Sequence, residues 1–272
     1  MLVVFGSVST SFFFARFFNA DLGPAFYWLL ASTVWVIYTM DHVIDGIQSA
    51  KSNQSLRHAL HYRYRATLIT LCSIIVPCNV YLAFRFLSPN LIIAGMLIAC
   101  FVFLYLLLIP MLKRLKKWPI KEVLVAIGVS AGMCLLPGLA GKIDWHYSYI
   151  LLVLAFTLIN FLNLLIFSIL DEEQDRVTSM PSIVQSLGNA KSKDMANSLV
   201  VLTFFVMGFW LYSYHGIEKR YVIVVLMLML NVLALILLKR EYFSRHDLFR
   251  FWGDSIYLIP GLVQALFVEK LI

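Results

Sequence analysis

The chain has 272 residues, of which 61% are hydrophobic and 14% charged, and its mean hydropathy is +0.84. A soluble globular domain carries about 25% charged residues, so this composition excludes a soluble enzyme or a free nucleic-acid-binding domain. It is the composition of an all-α, polytopic integral membrane protein, and the net charge of +7 has to be explained within that class.

Apolar runs of about 18–24 residues recur along the chain, each long enough to cross a hydrocarbon core of about 30 Å. They predict nine transmembrane helices, over about 2–19, 22–40, 66–87, 91–112, 123–141, 148–170, 196–214, 221–238 and 251–268. These runs fill residues 1–272 almost completely, so one domain is expected. The first lacks the basic leader and small-residue cleavage site of a signal peptide. Within it, Arg16 is placed to snorkel to headgroups.

The second run ends in "DHVID". Asp41 and Asp45 stand one helical turn apart on the same face, where like charges repel by roughly 0.2–0.5 kcal/mol even in water. The connection that follows, about 41–65, reads as a polar loop carrying Lys51, Arg57, His58, His61, Arg63 and Arg65. A loop of about 20 residues in so compact a chain is more often functional than idle. It could cap a cavity and lend Lys51 or Arg57 to a phosphate. The two histidines have no third ligand at metal spacing and read as solvated. After the fourth run comes "KRLKKWPIK", in which Lys113 and Arg114 end the span directly and suit diphosphate oxygens.

The sixth run, "NFLNLLIFSILDEEQDRV", ends as the second does, in Asp171 and Asp175. Asn160 and Asn163 lie one turn apart on the approach, and polar residues in a span usually face the bundle interior. They are equally suited to acceptor-side contacts and to interhelical hydrogen bonds. Asp254 opens the ninth run, either as part of a site or as a helix N-terminal acid. Cys72, Cys78, Cys100 and Cys134 all fall inside spans, form no CxxC pair and read as packing residues.

The connections after runs two, four, six and eight hold 16 of the 22 Lys and Arg residues. The positive-inside rule puts these connections in the cytoplasm, and with them the N-terminus and both aspartate pairs. The net charge is then topology and calls for no nucleic-acid partner. The expected location is a bacterial inner (cytoplasmic) membrane.

One DxxxD at a helix end is explained by hydration. Two, on one face and about 130 residues apart, suggest an internal repeat with a site between the halves. Carboxylate oxygens suit Mg²⁺, which keeps several waters and completes its shell with substrate phosphates. Bound metal would compensate the repulsion within each pair and make a diphosphate a leaving group.

In number of spans, in the two DxxxD motifs and in the Lys-Arg pair after span four, the chain resembles the UbiA superfamily of intramembrane prenyltransferases. "DHVID", "PMLKRLKKWPIKEVLVAIGVSAG" and "LDEEQDRVTSMPSIVQSLG" carry the likeness, which covers nearly the whole chain. The resemblance implies a helical fold around a central, lipid-accessible cavity. It implies Mg²⁺ held by Asp41, Asp45, Asp171 and Asp175, with Lys113 and Arg114 as the basic pair. It also implies ionisation of an isoprenoid diphosphate to an allylic cation, which an aromatic or other lipophilic acceptor in the membrane lipid attacks. Ile37, Ser168 and Ile109 stand where the family commonly has Asn, Asp and Tyr, which marks a divergent subgroup. Tyr38, one turn before Asp41, falls on the prenyl or acceptor side. Phe12, Phe13, Phe14, Phe17 and Phe18 suit a prenyl channel with cation–π contacts or, more simply, apolar packing. A terpene cyclase of the same fold, or a carrier for lipid diphosphates, are the alternatives. A closer-spaced aspartate signature, as in the CDP-alcohol phosphotransferases, is absent.

Overall fold

The computed structural model describes residues 2–48, 56–112, 120–141, 147–173, 176, 182–215 and 219–268. Among these residues every regular element is a helix. In lipid no water is present to satisfy the backbone, so a chain of apolar runs must close its hydrogen bonds within each run.

The helices that begin in or near the apolar runs are α1 (Leu2–Phe17), α2 (Pro24–Gln48), α4 (Arg65–Phe86), α5 (Pro89–Leu112), α6 (Ile120–Ser130), α8 (Tyr147–Leu170), α10 (Asn189–Ser213), α11 (Lys219–Leu238) and the shorter α13 (Leu248–Ser255). A π-turn over Ala131–Leu135 joins α6 to α7 (Leu136–Ala140), and a 3₁₀ turn over Ile256–Leu258 joins α13 to α14 (Ile259–Val263). Short helices α3 (Leu56–Arg63), α9 (Ile183–Leu187) and α12 (Arg240–Phe243) lie between the long ones. Among the described residues, five helical stretches are long and apolar enough to cross a membrane by length and composition: Arg65–Phe86, Lys121–Ala140, Tyr147–Leu170, Asn189–Ser213 and Arg220–Leu238.

Helix α8 is the centre of the fold. Its buried face, including Phe156, Ile159, Leu162, Leu165 and Ile166, is covered by α6, α10 and α11. From α1, Phe13, Phe14 and Phe18 are buried in the same core, with Phe14 edge-on to Phe156 and Phe18 edge-on to Tyr149. These rings pack the core and are not among the residues that line the cavity. Helices α4 and α5 stand further out, and α4 leaves most of its surface exposed.

Two local devices shape the ends of the fold. Pro260 brings no N–H to the helix ladder, and the break around it is bridged from α1. Thr10 Oγ1 donates to Tyr257 O (2.8 Å), while Ser9 Oγ accepts from Gly261 N (3.1 Å). Gly188 adopts φ 84 between α9 and α10, a left-handed conformation open to glycine without strain, so the chain turns from one helix directly into the next.

The expected boundaries hold on the apolar side of each run and fail on the polar side. Helix α2 continues through the aspartate pair to Gln48, α6 begins at Ile120, α10 at Asn189 and α13 at Leu248. The apolar run measures the thickness of hydrocarbon to be crossed. The hydrogen-bonded helix extends beyond it into the interface. For the same reason the expected 41–65 loop is largely helical: α2 takes its first part and α3 its last, and 49–55 lie outside the described residues.

Candidate active site

A cavity of about 710 Å³ opens between α2, α4, α5, α6, α8 and α13. Most of its wall is aliphatic and aromatic, including Leu29, Leu91, Val102, Val125 and Met133. The charged residues come from the ends of the helices described above. Asp41 and Asp45 reach the cavity from α2, Asp171 from the end of α8, Arg250 and Asp254 from α13, and Lys121 and Glu122 from the first turn of α6.

The two aspartate motifs are placed differently. Asp41 and Asp45 lie inside α2, whereas Asp171 is the first residue past α8, its N–H still bonded to Phe167 O at 2.9 Å. Its carboxylate takes Arg250 Nη2 in an ion pair of 2.5 Å, with side chains 14% and 21% exposed. The Arg250 guanidinium also lies over the Phe249 ring at 5.1 Å. A pair this far from bulk water is costly to break, because the charge left behind is poorly solvated.

On α2, His42 is buried beside Asp41, with Nδ1 3.9 Å from Asp41 Oδ2. Tyr38 tilts over the His42 ring at 4.1 Å, and His61 of α3 meets its edge at 5.0 Å. His61 is therefore a packed residue of the short helix and not a solvated loop residue. Both Tyr38 and His42 line the cavity.

Asn163 and Asn160, alike in sequence, part company in the structure. Asn163 lines the cavity and donates through Nδ2 to Gly253 O (3.2 Å) and Tyr257 Oη (3.4 Å). Asn160 is buried in the α6–α8 interface, where Nδ2 donates to Ser130 Oγ at 2.7 Å, and it is not among the cavity-lining residues. Ile37 and Ser168, two of the three departures from the family pattern, both line the cavity. Ser168 Oγ is buried and makes no hydrogen bond to the described residues.

Glu122 links the site to the segment beyond the second motif: its Oε1 accepts from Ile183 N at 3.0 Å. Asp175, Lys113, Arg114 and Lys51 lie outside the described residues, and for Arg57 only the backbone, in α3, is described. Sequence reasoning missed Arg250 and Glu122 as site residues. It counted Arg250 only toward the charge asymmetry. The available signal was its spacing, since Arg250 and Asp254 are i and i+4 and share one helix face.

The arrangement is an apolar chamber with a charged rim, and among the described residues that rim carries more carboxylates than cations. Its class is a helical membrane protein with an apolar chamber between its helices. No family model matches the sequence, and no curated protein matches it. Solved structures do match. A UbiA homologue from Archaeoglobus fulgidus bound to GPP and Mg²⁺ superposes with a TM-score of 0.68 at 12% identity, over 97% of this chain and 96% of that one. An apo UbiA homologue from Aeropyrum pernix K1 gives 0.67 at 17% identity, over 99% and 98%. A digeranylgeranylglyceryl phosphate synthase structure gives 0.57 at 17% identity, over 96% and 93%. The likeness at these identities is one of fold, and the fold of this chain is that of the UbiA homologues.

Proposed function

We propose that this protein is a Mg²⁺-dependent intramembrane prenyltransferase, moving a prenyl group from an isoprenoid diphosphate to an aromatic or other lipophilic acceptor. The observation that carries the reading is the convergence of Asp41, Asp45, Asp171 and Asp254, from three helices, on one apolar cavity. The fold supports it, being shared with structures whose ligands are DMAPP or GPP with Mg²⁺.

The donor set fits Mg²⁺. Every candidate ligand is a hard carboxylate oxygen. Among the described residues no three His, Cys, Asp or Glu side chains form a ready cage. That suits an ion held by one or two carboxylates and completed by substrate phosphates and water. Asp41, Asp45, Asp171 and Asp175 are the carboxylates that would hold it. When bound, the ion neutralises diphosphate charge and makes it a leaving group.

The chain's own residues do the rest. Lys113 and Arg114, with Lys51 and Arg57 from the connection after α2, would bind diphosphate oxygens. The aliphatic wall takes the prenyl chain and excludes water, so that a developing allylic cation meets the acceptor before it meets water. Tyr38 presents a π-face near the reacting end, where a cation is stabilised, and Asn163 offers a polar contact deeper in the chamber. The basic connections, holding 16 of 22 Lys and Arg, orient the rim to the cytoplasm of a bacterial inner membrane.

The test is pyrophosphate released by the protein in nanodiscs with Mg²⁺ and geranyl, farnesyl or geranylgeranyl diphosphate. Asp45→Asn keeps shape and loses ligand charge, so Mg²⁺-dependent release should fall by about two orders of magnitude or more, as on losing a group that stabilises the transition state. The fold should be unaffected, since removing one acid of an i, i+4 pair relieves repulsion. Wild-type turnover in Asp45→Asn would refute the assignment. Release without any acceptor would identify a cyclase, and no release at any chain length would identify a carrier.

A further inference from the structure

Helices α8 and α13 run together along one stripe. On α8, Asn163, Phe167 and Asp171 are spaced i, i+4, i+8 and so share a face. On α13 and the 3₁₀ turn after it, Arg250, Gly253 and Tyr257 are spaced i, i+3, i+7 and likewise share a face. Asn163 bonds to Gly253 O and Tyr257 Oη. Phe167 meets Phe249 edge-on at 5.6 Å and lies against Gly253, where a Cβ would stand 2.4 Å from the Phe167 ring. The third rung is the Asp171–Arg250 ion pair. Two rungs of close packing thus set the position of the third, and Arg250 is held at the cavity wall by construction.

We propose that Arg250 is a diphosphate-binding residue that takes the place of one divalent cation at the second aspartate motif, so that this chain binds diphosphate with a single Mg²⁺, on the Asp41–Asp45 side. The inference rests on the diphosphate reading above. Three features of the site support it. The guanidinium presents five donors, of which Asp171 engages Nη2, and Arg250 lines the same cavity as Asp41 and Asp45. A planar fork matches diphosphate oxygens in pairs. An Asp171 carboxylate neutralised by Arg250 is a weaker magnet for Mg²⁺ than a bare one. The charge that a second ion would bring is already present, covalently attached and without need of recruitment.

The experiment is calorimetric titration of inorganic pyrophosphate, the part common to every prenyl donor, into the protein in nanodiscs across a range of Mg²⁺ concentrations. The slope of log affinity against log Mg²⁺ counts the ions taken up per ligand. Wild type should give a slope of about one, by the linkage of ion to ligand. Arg250→Lys keeps the charge and should keep that slope, with modestly weaker binding. Arg250→Gln removes the cation that neutralises Asp171: the slope should rise to about two, and affinity at low Mg²⁺ should drop about ten- to a hundredfold, the loss of a charge-assisted contact. The double variant Asp171→Asn/Arg250→Gln leaves no orphaned charge to upset folding. It should bind weakly with a slope of about one. A slope near two in wild type, or a slope unmoved in Arg250→Gln, overturns the proposal while leaving the diphosphate reading intact. No Mg²⁺-dependent binding to wild type overturns both. A merely structural Arg250 would lower the folded fraction without changing the ion count.

Discussion

Glu122 shows how one buried side chain can tie two halves of a site together. It is 9% exposed, and its carboxylate accepts the Ile183 N–H, itself on a residue 1% exposed. Ser182, the residue before α9, provides no side-chain cap of its own, so Glu122 does the capping from across the cavity. Removing the acceptor leaves a buried donor unmade, which costs about 1–3 kcal/mol. Glu122→Ala should therefore destabilise the protein by that amount and speed amide exchange at Ile183, while Glu122→Gln, which keeps an acceptor oxygen, should lie close to wild type. Exchange at Ile183 that is the same in all three would remove this role. The asparagines teach the converse lesson. Asn160 and Asn163 are the same residue on the same helix, yet 60 degrees of helical rotation (three residues at about 100° each) are enough to put one against Ser130 and the other on the cavity.

The α8–α13 stripe depends on the closeness of two backbones. At Gly253 an added Cβ would meet the Phe167 ring at 2.4 Å and Asn163 Oδ1 at 2.7 Å, so any side chain must push the helices apart or force both neighbours off their rotamers. Overpacking of this kind costs about 1–3 kcal/mol. Gly253→Ala should lower the midpoint of thermal unfolding in nanodiscs and, because it shifts the third rung, weaken pyrophosphate binding more than its loss of stability explains. An Ala variant as stable as wild type would mean that α13 is free to move. The polar ends of the other helices follow the same pattern of position. Asp41 and Asp45, Lys121 and Glu122, and Arg250 all sit in turns of helix that lie beyond or at the edge of an apolar run, where a charge can be both structured and near water.

The molecule as a whole divides into a packed half and an open half. Helix α8 with α1, α6, α10 and α11 forms the solid core, while α4 packs outside it against α2 and, with α5, walls the chamber. Gly95 of α5 lines that chamber, and a Cβ there would meet nothing within 4 Å. A larger side chain can therefore fill the cavity without strain, and Gly95→Leu should even gain about 0.8–1 kcal/mol of helix propensity. In the pyrophosphate-release assay it should shift preference toward shorter prenyl donors, lowering turnover of geranylgeranyl diphosphate relative to geranyl diphosphate. Unchanged relative turnover would place the prenyl chain elsewhere.

The helical class, the approximate place of each apolar helix, and the two carboxylate clusters were legible in the amino-acid order. Each is a local property: about twenty apolar residues in succession make a span whatever surrounds them, and an i, i+4 pair shares a face in any helix. Where the helices end was not legible, because the apolar run registers hydrocarbon thickness while the hydrogen-bonded ladder runs on into the interface, as α2 does through Gln48 and α13 does from Leu248. Nor were the partners of the charges. That Arg250 meets Asp171 and that Glu122 meets Ile183 depends on which helices become neighbours, and residues 79 and 61 positions apart are brought together by side-chain packing such as that of Gly253 on Phe167. The sequence by itself determined a helical membrane protein with two acidic helix ends. Only the tertiary structure decided that they share one cavity and that one of them already holds a cation of its own, since contacts between distant helices are set by complementary surfaces and not by any pattern along the chain.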